Sequence, residues 1–336
     1  MHHAVAKEHV GEVDPKDAIE PDLPIVDPHH HLWHPFADRY FADAFQNDIL
    51  SSGHNVTDTV YVECSVMNRV DGPAHLRSVG EAEFVSGMAA MGASKVLGPT
   101  RICAGFVGAA DLAMGAEVSE VLDALQAASG GRLRGVRGVA NWDADPSVNS
   151  GSRPLAPKGL LLDKKFQEGA ETLTSRGYVY DAWQYFPQLG ELTELSDRLP
   201  NATIVVNHCG GLLGVGAYSN PENFGRWKAL VAEIAKRENV LMKLGGLSGR
   251  RNGFGYDARS EPPTLDDLVS DWKPFIETCI EFFGANRCMF ESNFPVDAVA
   301  GSYQRIWNAF KTIASACSAD EKTALFSGTA KRAYRI

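Results

Sequence analysis

Three observations in the sequence predict an α/β fold, a (β/α)8 TIM barrel built as a single domain with extended loops after strands six and seven. Eight short apolar runs follow one another, helix-length segments separate them, and polar or ionisable residues stand at the ends of most runs. Alternating runs of this kind form parallel βαβ units, and a count of eight favours closure into a barrel. A doubly wound open sheet is the competing fold, but no Gly-x-Gly-x-x-Gly turn follows an early run.

The elements are read in order. Residues 1–22 are polar, include Pro15 and Pro21, and read as a loosely held N-terminal arm; the barrel is expected over 23–336. The first four strands are expected at Pro24 to Asp27, Thr59 to Glu63, Ile102 to Val107 and Gly135 to Val139. The second four are expected at Tyr178 to Asp181, Thr203 to Asn207, Val240 to Leu244 and Cys288 to Glu291. Between them, Ala116 to Ala128, Trp227 to Arg237 and Leu268 to Phe283 carry apolar residues at helical spacing, the last interrupted early by Pro274. Gly-rich stretches at 210–225 and 245–263 follow runs six and seven, where barrel enzymes build their pockets. No internal repeat or low-complexity segment divides the chain.

Composition excludes several classes of function. The chain has 336 residues and a formal charge of −10, with only small basic clusters such as Arg132-Leu133-Arg134 and Arg250-Arg251, so no stripe exists to neutralise nucleic-acid phosphates. No apolar run approaches a membrane span and the first residues lack a signal-peptide apolar region, so no membrane partner and a cytoplasmic location are expected. The six cysteines are widely spaced, mostly in apolar segments, and form no Cys-x-x-Cys pair; they read as reduced core residues. A small-molecule substrate is the expected partner, with assembly into a homo-oligomer left open.

The run ends carry the chemistry. His29 and His31 end the first strand and share a side of it, because side chains alternate with period two. Two imidazoles so placed can hold a divalent metal or a hydrolytic water. Glu63 ends strand two, Arg137 lies on strand four, Asp181 ends strand five with Trp183 after it, and His208 follows strand six. Lys243 lies on strand seven, and strand eight ends in Glu291-Ser292-Asn293-Phe294-Pro295 with Asp297 close behind. Each has an ordinary structural reading alone: Arg137 pairing with an internal carboxylate, Lys243 a solvated strand end, Asp181 a helix cap. Their joint occurrence at strand ends converges them on one mouth.

The segments PIVDPHHHLW, VVNHCGG and RCMFESNFPVD resemble the first, sixth and eighth strands of the amidohydrolase superfamily. The likeness is greatest to the branch of pyrone-dicarboxylate lactonase, sulfomuconolactonase and sugar-lactone hydrolases, and it runs from about Pro24 to the end. It implies a (β/α)8 barrel that hydrolyses a small cyclic ester, with His29 and His31 as the strand-one pair and His208 as the strand-six histidine. It also implies that Arg137 receives a substrate carboxylate. The chain departs from the pattern where relatives carry Gly-Ser-Asp before the Trp/Phe-Pro pair, because Asn293 stands in the aspartate's place. An amide accepts no proton from an attacking water and is a poor metal ligand. Glu291 or Asp297 can restore the carboxylate. With no histidine ending strand five and no strand-four lysine, a two-metal site is not expected; one zinc or manganese on His29, His31 and either a carboxylate or His208, or a metal-free site, stays open.

The expected mechanism places a lactone carbonyl at the mouth, polarised by His29 and His31 or a metal they hold, under attack by a water activated by a carboxylate or His208. Arg137, with Lys243 or Arg250, would hold a substrate carboxylate, and Trp33, Trp183, Phe294 and Tyr218 would wall a carboxylated or aromatic-derived ring. Two other readings compete: a metal-dependent decarboxylase of a hydroxybenzoate-like acid, and a non-catalytic binding barrel that lost its base at Asn293. Three converging imidazoles argue against the second.

Overall fold

The computed structural model describes residues 13–33, 39–149 and 155–336. Strand and helix alternate through β1 (Ile25–His30), α1 (Ala42–Ser52), β2 (Val56–Val62), α2 (Val79–Ala93), β3 (Arg101–Gly108), α3 (Val118–Ala128) and β4 (Leu133–Val139). They continue through α4 (Lys164–Ser175), β5 (Val179–Trp183), α5 (Leu189–Arg198), β6 (Ile204–Val206), the kinked turn α6 (His208–Gly211), α7 (Glu222–Ile234) and β7 (Val240–Leu244). The chain ends with α8 (Leu265–Phe283), β8 (Cys288–Phe290), α9 (Tyr303–Ile313), α10 (Ala319–Thr323) and α11 (Thr329–Tyr334). All eight strands pair in parallel in sequence order, so the expected barrel is the observed one.

Closure of β8 onto β1 is made just beyond β8. His31 N–H donates to Phe294 O at 2.8 Å and Asn293 N–H to His29 O at 2.9 Å. Asp27, fully buried, accepts from Ser292 N at 3.1 Å, Ser292 Oγ at 2.5 Å and Tyr303 Oη at 3.0 Å. Burial pushes its carboxyl up to about 6 against those hydrogen bonds. One buried carboxylate therefore pins the first strand to the turn after the last.

Two apolar layers hold the molecule. Outward residues such as Tyr61, Phe106, Tyr180, Met242 and Phe290 pack under the helices. Inward residues Val26, Val60, Val62, Val107, Val179, Val205 and Met289 form a floor in the lumen, plugged by Tyr334 of α11. Each such valine contributes about 1.5–3 kcal/mol by leaving water. The floor is buried and close-packed, so groups standing on it are held in place.

Two local expectations are corrected. Helix α8 runs unbroken through Pro274, because a proline removes one helical N–H but the flanking turns are anchored. A capping box of Thr264 and Asp267 starts the helix, and Trp272, Ile276, Cys279 and Phe283 are buried along it. The described part of the arm, 13–22, is fastened rather than loose. Asn308 accepts from Ile19 N at 2.8 Å and donates to Asp17 O at 3.0 Å, Gln304 donates to Asp14 O at 2.6 Å, and Lys311 donates to Glu20 O at 2.7 Å. Residues 1–12 lie outside the described residues. Among the described residues no helix is long and apolar enough to cross a membrane.

Candidate active site

Strand alternation builds the site one step above the floor. On β5 the floor residue Val179 is followed on the same face by Asp181 and Trp183; on β7 Leu241 is followed by Lys243. Beyond β8, Glu291 succeeds Met289, and beyond β6, Asn207 succeeds Val205. Strand β1 departs from the period. Its register shifts between Asp27 and His30, so Val26 joins the floor although His29, three residues on, faces the layer above.

His29 is the hub. Its Nδ1 accepts from Lys243 Nζ at 3.3 Å, and its Nε2 lies 3.2 Å from His31 Nε2. His31 Nδ1 is 2.8 Å from Val62 O, and a carbonyl only accepts, so His31 carries its proton on Nδ1 and offers a lone pair to His29 Nε2–H. Lys243 is fully buried and also donates to both oxygens of Asp181 at 3.2 and 3.3 Å. Asp181 in turn accepts from Asn207 Nδ2 and Tyr334 Oη. A continuous chain of polar contacts thus runs from the C-terminal helix on the barrel floor up to the imidazoles.

Glu291 bridges two histidines. Its Oε1 accepts from His208 Nδ1 at 2.7 Å and from His208 N at 3.2 Å, while Oε2 approaches His29 Nδ1 at 2.7 Å. The latter contact lacks hydrogen-bond angles, so Oε2 is buried without a hydrogen bond. Burial pushes the Glu291 carboxyl up to about 8, with Lys243 opposing. Burial first, then nearby cations, holds His29 and His208 well below the ordinary histidine value, so both imidazoles are neutral at neutral pH. His208 Nε2 makes no hydrogen bond among the described residues and is a free lone pair. His29, His208 and Glu291 bring their ligand atoms within 4.8 Å of one another, a group able to hold a divalent ion. That group keeps His29 but has both His208 and Glu291 and not His31, where the sequence suggested His29 and His31 with a carboxylate or His208.

The remaining candidates fall into four sets. Arg137 is committed to Glu63, with Nε donating to Glu63 Oε1 at 2.7 Å and Nη2 to Glu63 O, and its Nη1 lies 3.4 Å from His29 Nε2. Asn293 takes a left-handed backbone, φ 49°, and donates from Nδ2 to Asp297 Oδ1 at 3.0 Å, so the amide aims a buried carboxylate instead of replacing one. Burial pushes Asp297 up to about 7. Trp183 meets His208 edge-on at 4.8 Å and stands at the mouth. Phe294 packs into the core against Tyr40 and Tyr303, Tyr218 donates to Asp143 Oδ2 at 2.5 Å, and Trp33 lies against His31 at 6.1 Å. Arg250 is exposed, whereas its neighbour Arg251 turns inward over Trp183.

Two glycines that read only as loop belong to the site. Gly246, φ 64°, has its missing Cβ 2.0 Å from His208 Nδ1, and that of Gly245 lies 2.6 Å from Glu291 Cγ. Any side chain there would displace His208 or Glu291. The Gly-Gly pair directly after strand seven was the available signal.

Fold and site together define a class: (β/α)8 barrels with buried imidazoles and a carboxylate at the C-terminal ends of the strands. An amidohydrolase family profile matches residues 26–336, and the chain belongs to that family. It is 30% identical over 335 residues to the uncharacterised protein y4mH of Sinorhizobium fredii, covering 94% of this chain and 99% of that one. It is 28% identical over 212 residues to L-fucono-1,5-lactonase of Burkholderia multivorans, covering 62% of this chain and 64% of the lactonase. A solved amidohydrolase from Burkholderia multivorans with bound zinc superposes with a TM-score of 0.71 at 24% identity, over 93% of this chain and 99% of that one.

Proposed function

We propose that the protein hydrolyses a small lactone, with His208 as general base and Glu291 as the residue that orients it. The observation that carries this reading is the Glu291 bridge. Its Oε1 accepts the His208 Nδ1 proton at 2.7 Å, which leaves Nε2 as the lone pair facing away from the bridge. A neutral imidazole held in one tautomer by the Oε1 of a buried carboxyl group takes a proton from water as the water attacks an ester carbonyl. The negative charge that develops on the carbonyl oxygen is stabilised by the positive fields of Lys243 and Arg137, which border the imidazoles. The proton gained at His208 Nε2 passes to the departing ring oxygen, which becomes the hydroxyl of an open hydroxy acid. Likeness to L-fucono-1,5-lactonase supports a lactone over an aromatic acid as substrate.

The same atoms fit a divalent ion. Glu291 Oε2 is buried without a hydrogen bond, and two neutral imidazoles stand beside it. His29, His208 and Glu291 would hold zinc or manganese, and such an ion supplies Lewis-acid polarisation of a carbonyl and a more acidic water. His208 is then a ligand and not the base. Metal analysis of the purified protein, with and without chelator, alongside hydrolysis of a panel of lactones, separates the two arrangements. Turnover by metal-free protein supports the imidazole base; about one ion per chain with turnover lost on chelation supports the ion. Absence of lactone turnover in both forms overturns the hydrolase reading.

A further inference from the structure

We propose that the Lys243 ammonium stands where a divalent ion would draw on His29, a built-in cation that sets this site against metal. The inference concerns the cation of the site alone and holds for whatever substrate is hydrolysed there. It starts from the direction of the ring protons. The Val62 carbonyl accepts from His31 Nδ1 at 2.8 Å, which leaves His31 Nε2 to accept the His29 Nε2 proton at 3.2 Å. One backbone carbonyl thereby fixes both tautomers and leaves the lone pair of the His29 ring on Nδ1, away from His31. That lone pair is the one a metal on His29, His208 and Glu291 needs.

Lys243 already holds it. Its Nζ lies 3.3 Å from His29 Nδ1 and 3.3 and 3.2 Å from the two oxygens of Asp181, so three N–H groups meet three acceptors. The ammonium has little room to withdraw. It is fully buried with the Tyr334 ring centroid 5.3 Å away, and Asp181 is held in turn by Asn207 Nδ2 and Tyr334 Oη. Glu291 Oε2 lies 2.7 Å from His29 Nδ1, has no hydrogen bond of its own, and is 4.0 Å from Nζ. Two electron-rich atoms that converge so closely repel each other unless a cation faces both, and the ammonium is a cation that does. A divalent ion on the same two atoms would have to take the lone pair from Lys243 and share its neighbours with a fixed like charge. The chain itself thus supplies the positive field that an ion would bring. Lys243 is a positioning residue in this role, acting through the His29 ring whose lone pair it occupies.

The test is the zinc affinity of chelator-treated wild type and Lys243→Gln, measured by competition with a chromophoric chelator. Glutamine keeps an amide N–H for Asp181 and removes the charge. Lys243→Gln should bind zinc at least about 10-fold more tightly than wild type, the size of effect that neighbours of metal ligands have. Zinc should also raise the unfolding temperature of the variant more than that of wild type. Lost packing alone gives no such gain. The gain should vanish when His208→Ala or Glu291→Gln is added to Lys243→Gln. A gain that persists places the zinc elsewhere and overturns the proposal, as does equal zinc affinity in wild type and Lys243→Gln. If Lys243→Gln does not fold, Lys243→Met combined with Asp181→Asn frees the same lone pair without stranding a carboxylate, and the same comparison decides. Because zinc binding is read without turnover, a lack of lactone hydrolysis leaves a positive result standing. Lactone turnover with equal zinc affinities removes this role of Lys243 and leaves the hydrolase.

Discussion

Two histidine–lysine pairs lie at opposite ends of the barrel, and their surroundings set them apart. At the C-terminal ends of the strands, Lys243 Nζ is 3.3 Å from His29 Nδ1; ahead of β2, at the N-terminal end, Lys311 Nζ is 3.0 Å from His54 Nδ1. Lys243 sits on the carboxylate of Asp181 at 3.2 Å with Glu291 at 4.0 Å, so its charge is compensated inside the protein. Lys311 has a backbone carbonyl, Glu20 O, as its other partner, and burial pulls it down to about 8 against the more distant Glu20 and Asp22 carboxylates. The same two side chains thus form a charged, carboxylate-lined network in one place and a weakly compensated fastening for the N-terminal stretch in the other. Chemistry belongs where the charges can be held and moved; the second pair is a strut.

The largest expected effect breaks the network at its bridge. The amide introduced by Glu291→Gln can donate to His208 Nδ1, which would move the imidazole proton to Nε2 and remove the base. Steady-state hydrolysis should fall by about 10³-fold, with the fold retained. A loss below tenfold would place the base elsewhere, with Asp297 the next carboxylate to replace. The lysines come next. Lys243→Met strands the buried Asp181 charge and should cost about 3–5 kcal/mol of stability in denaturant unfolding. Adding Asp181→Asn should recover at least half of that loss. Lys311→Met removes two hydrogen bonds without stranding a carboxylate, and should cost about 1–2 kcal/mol. Equal costs for the two lysines would erase the contrast between the two ends.

What the sequence made legible follows from geometry. Apolar runs and their polar ends place all eight strands to within a few residues, because strand alternation in a barrel sends successive inward residues to floor and site in turn. That rule brings Lys243 and Glu291 into the layer above the floor, and His208 joins them from the turn just after β6. It fails at Asp27, where the shift in β1 register has no sequence signature, and at Asn293, whose left-handed backbone sends its amide to Asp297. The choice between Arg250 and Arg251 was not readable either, since a single 3-10 turn has too few residues for a period to show which faces inward. Tyr334 reaches Asp181 from the last helix, a contact across 153 positions that only the fold creates. The sequence also suggested that Asp181 and Glu63 face substrate; both are buried and already engaged by Lys243 and Arg137.

The smallest expected effect sharpens the same comparison through pH. Burial, then the neighbouring Lys311, lowers His54 in the folded protein to about 3 from an ordinary 6.5. The unfolded chain therefore takes up the proton first as pH falls, so the stability that depends on neutral His54 is present above 6.5 and is lost progressively down to about 3. Because the ring is not wholly sealed, the loss should amount to about 1–3 kcal/mol across that window rather than the full linkage value. His54→Leu removes this titration, so the difference in unfolding free energy between wild type and variant should change with pH between 6.5 and 3 and stay level below it. A difference that is flat throughout would mean that His54 is solvated in the native state. The fastening of residues 13–22 through Lys311 would then have to hold without the buried pair that distinguishes this end of the barrel from the mouth.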